Sequence, residues 1–189
     1  MIHRIIGAFI AIGLSSATAR AADAPAPIMP LSPETFVGGA AMPDREHALL
    51  DIFRDTAARY QAARTAKQKG DLRIAMEVRL ARFMDESQEA KDWLGVVRAA
   101  HSTAEGDRWI SIEIAPETAL STFENRFADK QELTLIRKYT PLWSVIDQIA
   151  VGQVVTFSAT MLVFDVSDND DMVLRPHLVA RFSALKPME

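Results

Sequence analysis

The chain has no cysteine. Disulfides, thiol catalysis, thiolate metal sites and lipid attachment at a cysteine are therefore excluded. An excess of positive charge is missing too: 21 basic against 25 acidic residues give a net charge of -4. Beyond residue 22, with Arg4 and Arg20 removed, 19 basic face 25 acidic residues, or -6. A nucleic-acid binder carries a basic face to offset phosphates, so nucleic acid is an unfavourable partner. Glycine is scarce, at 8 residues, and neither a glycine-rich phosphate loop nor a Gly-x-Ser-x-Gly elbow occurs. His47, His101 and His177 fall on separate elements with no His-Glu-x-x-His pattern. No catalytic residue and no cofactor are assigned on these grounds. One long apolar run exists, Ile5 to Leu14. It is too short to cross a bilayer, and no later stretch nears the ~20 apolar residues that a permanent membrane span needs.

That run has the flanks of an export signal. His3 and Arg4 precede it, and the small residues of Ser15 to Ala22 offer cleavage sites at Ala17-Thr-Ala19 or Ala19-Arg-Ala21. Residues 1–22 are thus expected to direct the chain to the periplasm or outside the cell. Residues 23–43, with Ala-Pro-Ala-Pro, Pro30, Pro33, Gly38-Gly39 and Pro43, suit a linker, since proline blocks both helix and sheet pairing.

Residues 44–90 carry two apolar stripes at helical spacing. The first is Leu49, Ile52, Phe53, Thr56, Tyr60 and Ala63, with Asp44 as a candidate cap; the second is Leu72, Met76, Leu80, Phe83 and Met84. A break is expected at Gly70-Asp71, unless one helix runs through Gly70 at a cost of about 1 kcal/mol. The arginines here are interleaved with Asp51, Asp55, Asp71 and Glu77, which marks a solvated face rather than a lipid or nucleic-acid patch.

From residue 91 the apolar period shortens to two. Trp93–Ala100, Trp109–Ala115 and Thr118–Phe123 read as strands, Pro141 with Thr140 as cap opens a helix that Gly152 ends, and Leu178–Phe182 reads as the last strand. Between them lies the longest β-rich stretch, Gly152 to Asp165, with Val155, Phe157, Ala159 and Met161 on one face and Thr156, Ser158 and Thr160 on the other. Leu133–Ile136 either extends the sheet or packs on it. The order β-β-β-α-β-β over residues 91–189 is that of an OB-like barrel, a five-stranded Greek key plugged by a helix between its third and fourth strands. The expected class is α+β: an N-terminal amphipathic helical arm followed by a five-stranded OB-like antiparallel barrel. An open antiparallel sheet covered by the arm is the alternative.

Trp93-Leu-Gly95-Val96, the helix before Gly152 and Val155-Thr-Phe157-Ser158 resemble a set of uncharacterised secreted bacterial proteins in which a helical segment precedes an OB-like barrel. The likeness spans roughly residues 57–185, and Ala159 stands where the set often has glycine. It implies a fold, with Gly95 and Phe157 as fold-setting positions, and export, but no activity. The small periplasmic OB-fold stress proteins are a looser analogy.

OB barrels bind across strands two and three and the adjoining loops. With the isoleucines inward, Trp109, Ser111 and Glu113 face outward, and His101 begins the first loop. Trp109 either stacks on a ligand or packs beneath the helical arm, burial being the commoner fate of a large aromatic. The acidic turn after residue 164 opens like a calcium loop, with Asp165, Ser167 and Asn169 at alternating positions. Asp170 replaces the required glycine and Pro176 the closing glutamate, leaving at most a loose cation site around Asp165, Asp168 and Asp170. The preferred function is a non-catalytic binding or interaction module of the bacterial envelope. A small-ligand or oligosaccharide binder comes second and a carboxylate-dependent hydrolase third. The partner is expected to be an envelope protein or a small ligand.

Overall fold

The two apolar stripes fold as two helices because each gathers its large side chains on one side. The structure, a computed structural model, describes residues 42–122, 133–162 and 170–188. The expected export signal and linker up to Ala41, together with Phe123, Asp165 and Asp168, lie outside the described residues. Helix α1 (Asp44–Ala62) buries Leu49, Ile52, Phe53, Thr56 and Tyr60, and α2 (Ala66–Glu86) buries Met76, Leu80, Phe83 and Met84.

The break between them is not at Gly70-Asp71. Gly70 lies inside α2, and the chain turns at Ala63–Thr65. Thr65 forms a capping box: its hydroxyl accepts from the Gln68 amide (3.1 Å), and the Gln68 side-chain oxygen accepts from the Thr65 amide (3.2 Å). Two orphan donors satisfied at once outweigh the propensity cost of one glycine. Thr65→Ala is expected to cost about 1 kcal/mol. Gly70→Ala should add about the same, because a β-carbon there meets nothing within 4 Å. Urea midpoints of the two variants should move in opposite directions. Asp44 is likewise not the cap of α1; Pro43 holds that position without a side-chain bond.

The second half closes into a barrel. Its elements are β1 (Glu89–Ser102), β2 (Arg108–Ala115), β3 (Thr118–Ser121), helix α3 (Pro141–Ile146), β4 (Val154–Met161), the single turn α4 (Asp171–Leu174) and β5 (His177–Pro187). Around the ring the order is β1-β2-β3-β5-β4. The expectation of an all-antiparallel barrel is corrected: β3 and β5 pair in parallel, Leu120 opposite Leu178. The reason is topological. Five strands closed in a ring cannot alternate direction all the way round, so one seam must be parallel.

Strand β1 serves two neighbours, pairing with β4 from Glu89 to Val96 and with β2 from Val96 to Ser102. The pairing slips between Ala90 and Trp93, where Asp92 takes a φ of 54° and its amide is accepted by the Ser158 hydroxyl (3.1 Å). Ile110, Ile112 and Ile114 from β2 and Val155, Phe157, Ala159 and Met161 from β4 fill the interior, and Trp93 meets Phe157 edge-on at 6.4 Å. β4 is shorter than the β-rich stretch suggested, ending at Met161.

Thr140 caps α3, accepting from the Trp143 amide (3.3 Å), with Pro141 at the first position. The helix ends at Ile146 rather than at Gly152, and Ile146 and Ile149 both enter the core. Gly152 instead makes the turn into β4, at φ +90° with its amide bonded to Val97 O (2.8 Å). Leu133–Ile136 packs inward at Thr134, Leu135 and Ile136 and adds one bridge, Ile136 to Arg108. The helical hairpin is no free arm: α1 packs on α4 and on β1.

Candidate functional site

Alternation along β2 sends Trp109, Ser111 and Glu113 to the side opposite the isoleucines, but the three do not form one open face. His101 and Trp109 are register partners across β1 and β2, and their rings stand 4.4 Å apart, tilted by 37°. His101 is exposed and Trp109 half-buried. Ser111 is buried. Glu113 is committed to Arg98, whose Nε donates to Oε2 at 2.6 Å while a second guanidinium nitrogen donates to Oε1. That forked bond holds the guanidinium protonated more firmly than usual.

Trp109 packs on His101 at the end of β1 away from the helical hairpin. Seven residues of β1, roughly 23 Å of extended chain, separate His101 from Leu94, where α1 is anchored through Glu46. The His101 end is tied together by side-chain bonds. Asp107 accepts from Arg137 Nη1 (3.0 Å) and from the Lys138 amide (2.9 Å). The Trp143 indole nitrogen donates to Gly106 O (2.8 Å), and Gly106 needs its φ of +88° to make that loop. Arg108 bonds Ser102 and Asp147 and lies 5.2 Å above the Trp143 ring.

Sequence reasoning passed over Tyr139. It projects from this end at 82 % exposure with φ +67°, its ring 6.2 Å from Trp143 and 4.9 Å from Lys138 Nζ. An aromatic residue just before a helix cap, following Arg137 and Lys138, was the available signal. Holding an exposed tyrosine in the left-handed region costs free energy, as such residues do at binding sites.

Asp170 stands apart from that end. Its carboxylate bonds Arg73 of α2 (2.6 Å). The neighbouring Tyr60 hydroxyl, with Arg73 and Lys69, holds it below the usual carboxylate range. It therefore ties α4 to the hairpin. Asp165 and Asp168 lie outside the described residues, among which no group of three or more acidic or histidine side chains gathers.

The parallel seam creates one contact that resembles catalytic machinery. Ser121 Oγ and His177 Nε2 are hydrogen-bonded. The Ser121 hydroxyl, however, donates to Thr122 O (2.6 Å), so the imidazole N–H is the donor to Ser121. Ser121 is also fully buried. A nucleophile needs the opposite proton placement and access to substrate. A groove of about 380 Å³ between α1, α4 and the β2–β3 turn is lined mainly by Leu50, Phe53, Ala57, Pro116, Val173 and Leu174. Arg54, Gln61 and Thr118 are the polar side chains in its otherwise apolar lining.

No protein-family model matches the chain, and neither a curated protein nor a solved structure is significantly similar to it. Of the resemblance drawn from Trp93-Leu-Gly-Val96 and Val155–Ser158, the structure bears out the closed five-stranded barrel.

Proposed function

We propose that the protein is an exported, non-catalytic interaction module of the bacterial envelope, built on an OB-type barrel that meets its partner at the His101–Trp109 end. The strand order and the helix between β3 and β4 support the OB reading. Export rests on residues 1–22, and no helix among the described residues is long and apolar enough to cross a membrane. The observation that carries the choice is the state of the polar groups around Trp109. A sugar site needs several free hydrogen-bonding side chains beside its stacking ring. Here Ser111 is buried and Glu113 is held by Arg98, which leaves aromatic and cationic surface of the kind that anchors protein contacts. Among the described residues, the carboxylates Asp107, Glu113 and Asp147 at this end are each bonded to an arginine, which weighs against the hydrolase reading.

A photo-reactive side chain at position 109, expressed with the native export signal, is expected to give one defined adduct with an envelope protein. His101→Ala and Tyr139→Ala should weaken the adduct without lowering the melting temperature. A melting temperature raised by glycans, dependent on Trp109, would instead establish the oligosaccharide reading. Absence of any adduct at 109, with adducts elsewhere on the barrel, would refute the placement.

A further inference from the structure

The outer side of α2 is independent of the barrel site. Lys67, Asp71, Ile74, Val78, Ala81 and Asp85 follow one another at spacings of four and three, the period of a coiled-coil seam. All six are exposed, and they lie on the side of α2 opposite Met76, Leu80 and Phe83, which face the core. Ile74 and Val78 at the centre are 59 % and 56 % exposed. An apolar pair flanked by charge on a seam of about five turns is what a helix presents to another helix.

The order of charges selects the partner. In an antiparallel pair centred between residues 74 and 78, Ile74 of one copy meets Val78 of the other. Lys67 meets Asp85, and Asp71 meets Ala81 and the adjacent Arg82. Lys67 thus faces Asp85 and Asp71 lies beside Arg82, each twice over by symmetry, and Ala81 lets the backbones approach. A parallel pairing would set Asp71 against Asp71 and Asp85 against Asp85. Among the described residues neither Arg82 nor Asp85 has an ion pair within the chain, while Lys67 and Asp71 are joined at 3.0 Å along the helix. We infer that this face docks a second copy of the same chain, α2 against α2 in antiparallel register, as an isologous two-fold dimer.

Two apolar side chains supply less than the ~800 Å² per partner of a standard interface. The dimer is therefore weak and charge-specified, with dissociation in the high micromolar range. Sedimentation equilibrium of the full chain up to about 1 mM reads it. Asp71→Arg sets two arginines together and is expected to weaken association at least about tenfold. Asp71→Arg combined with Arg82→Asp restores the opposite charges and should bring association back to within about threefold of the parent. The chain has no cysteine, so Ile74→Cys mixed with Val78→Cys provides the sole thiol pair; the mixture should form a mixed disulfide faster than either variant alone. All these positions are exposed, and unchanged thermal melts confirm that each variant folds. A chain that stays monomeric throughout the range, a dimer indifferent to both charge variants, or faster self-coupling of Ile74→Cys each overturns the inference.

Discussion

Glu46→Gln is expected to remove a loss of stability between pH 4.5 and 8 that amounts to up to about 5 kcal/mol in the parent chain. Glu46 sits in the first turn of α1, where the helix dipole favours an anion, yet its side chain is fully buried. One carboxyl oxygen accepts from the Leu94 amide at 3.0 Å, and the other has no hydrogen-bond partner. The neighbouring Arg45 gives no counter-charge: its guanidinium bonds Phe83 O (2.6 Å) and Ser87 O and stacks on the Phe83 ring. Burial therefore outweighs the Leu94 bond and pushes the group from its ordinary 4.5 up to about 8.

Below about pH 4.5 both folded and unfolded chains carry the proton, and the contribution to stability is full. Between 4.5 and about 8 only the folded chain holds it, so stability falls as pH rises, by about 1.4 kcal/mol per unit. Above 8 both states are ionised and the dependence ends. Glutamine keeps the shape and the bond to Leu94 but does not titrate. Urea midpoints of parent and variant should coincide near pH 4.5 and diverge steadily towards pH 8, with the variant the more stable. Parallel curves would mean that Glu46 ionises in the fold as readily as in the unfolded chain.

Gly95→Ala is expected to destabilise the barrel by about 3 kcal/mol, the upper range for overpacking a closed core. The glycine is required by space, not by backbone angle. A β-carbon at 95 would stand 2.3 Å from Ile112 Cγ2 and 2.9 Å from Glu113 O. Ile112 is fully buried, and the carbonyl belongs to the ladder that joins β2 to β1, so neither can retreat without loosening that pair. At 2–4 °C per kcal/mol, the melting temperature should drop by roughly 10 °C. Ile112→Ala in the same chain relieves the side-chain clash but not the carbonyl one. The double variant should therefore be less destabilised than the two single losses added together, yet well below the parent. A Gly95→Ala protein that melts with the parent would show that β1 and β2 are not in this register.

Much of this architecture was legible in the residues. Spacing of three and four located both helices, and the stripes Leu49–Tyr60 and Met76–Met84 are the buried ones. Alternation placed Ile110, Ile112 and Ile114, and Phe157 with Ala159, in the interior. Thr140-Pro141 marked the start of α3. What misled was local: Gly70 looked like a break because propensity was weighed before the Thr65-x-x-Gln68 box. The outward group on β2 was legible as a face, but its chemistry was not. Nothing near Ser111 announces its burial, and Arg98 pairs with Glu113 because the bulge between Val97 and Ala99 sets their relative register.

By itself the sequence determined the periodic content of this protein: two helices with one apolar side each, five strands with a filled inner face, and a helix poised between the third and fourth strands. Those follow from side-chain order along the chain, which local geometry reads directly. Tertiary structure alone decided the parallel seam of β3 and β5, the burial of Glu46 against Leu94 and the commitment of Glu113 to Arg98. Each joins different elements of the fold, and only the packing of those elements sets which side chains lose their water.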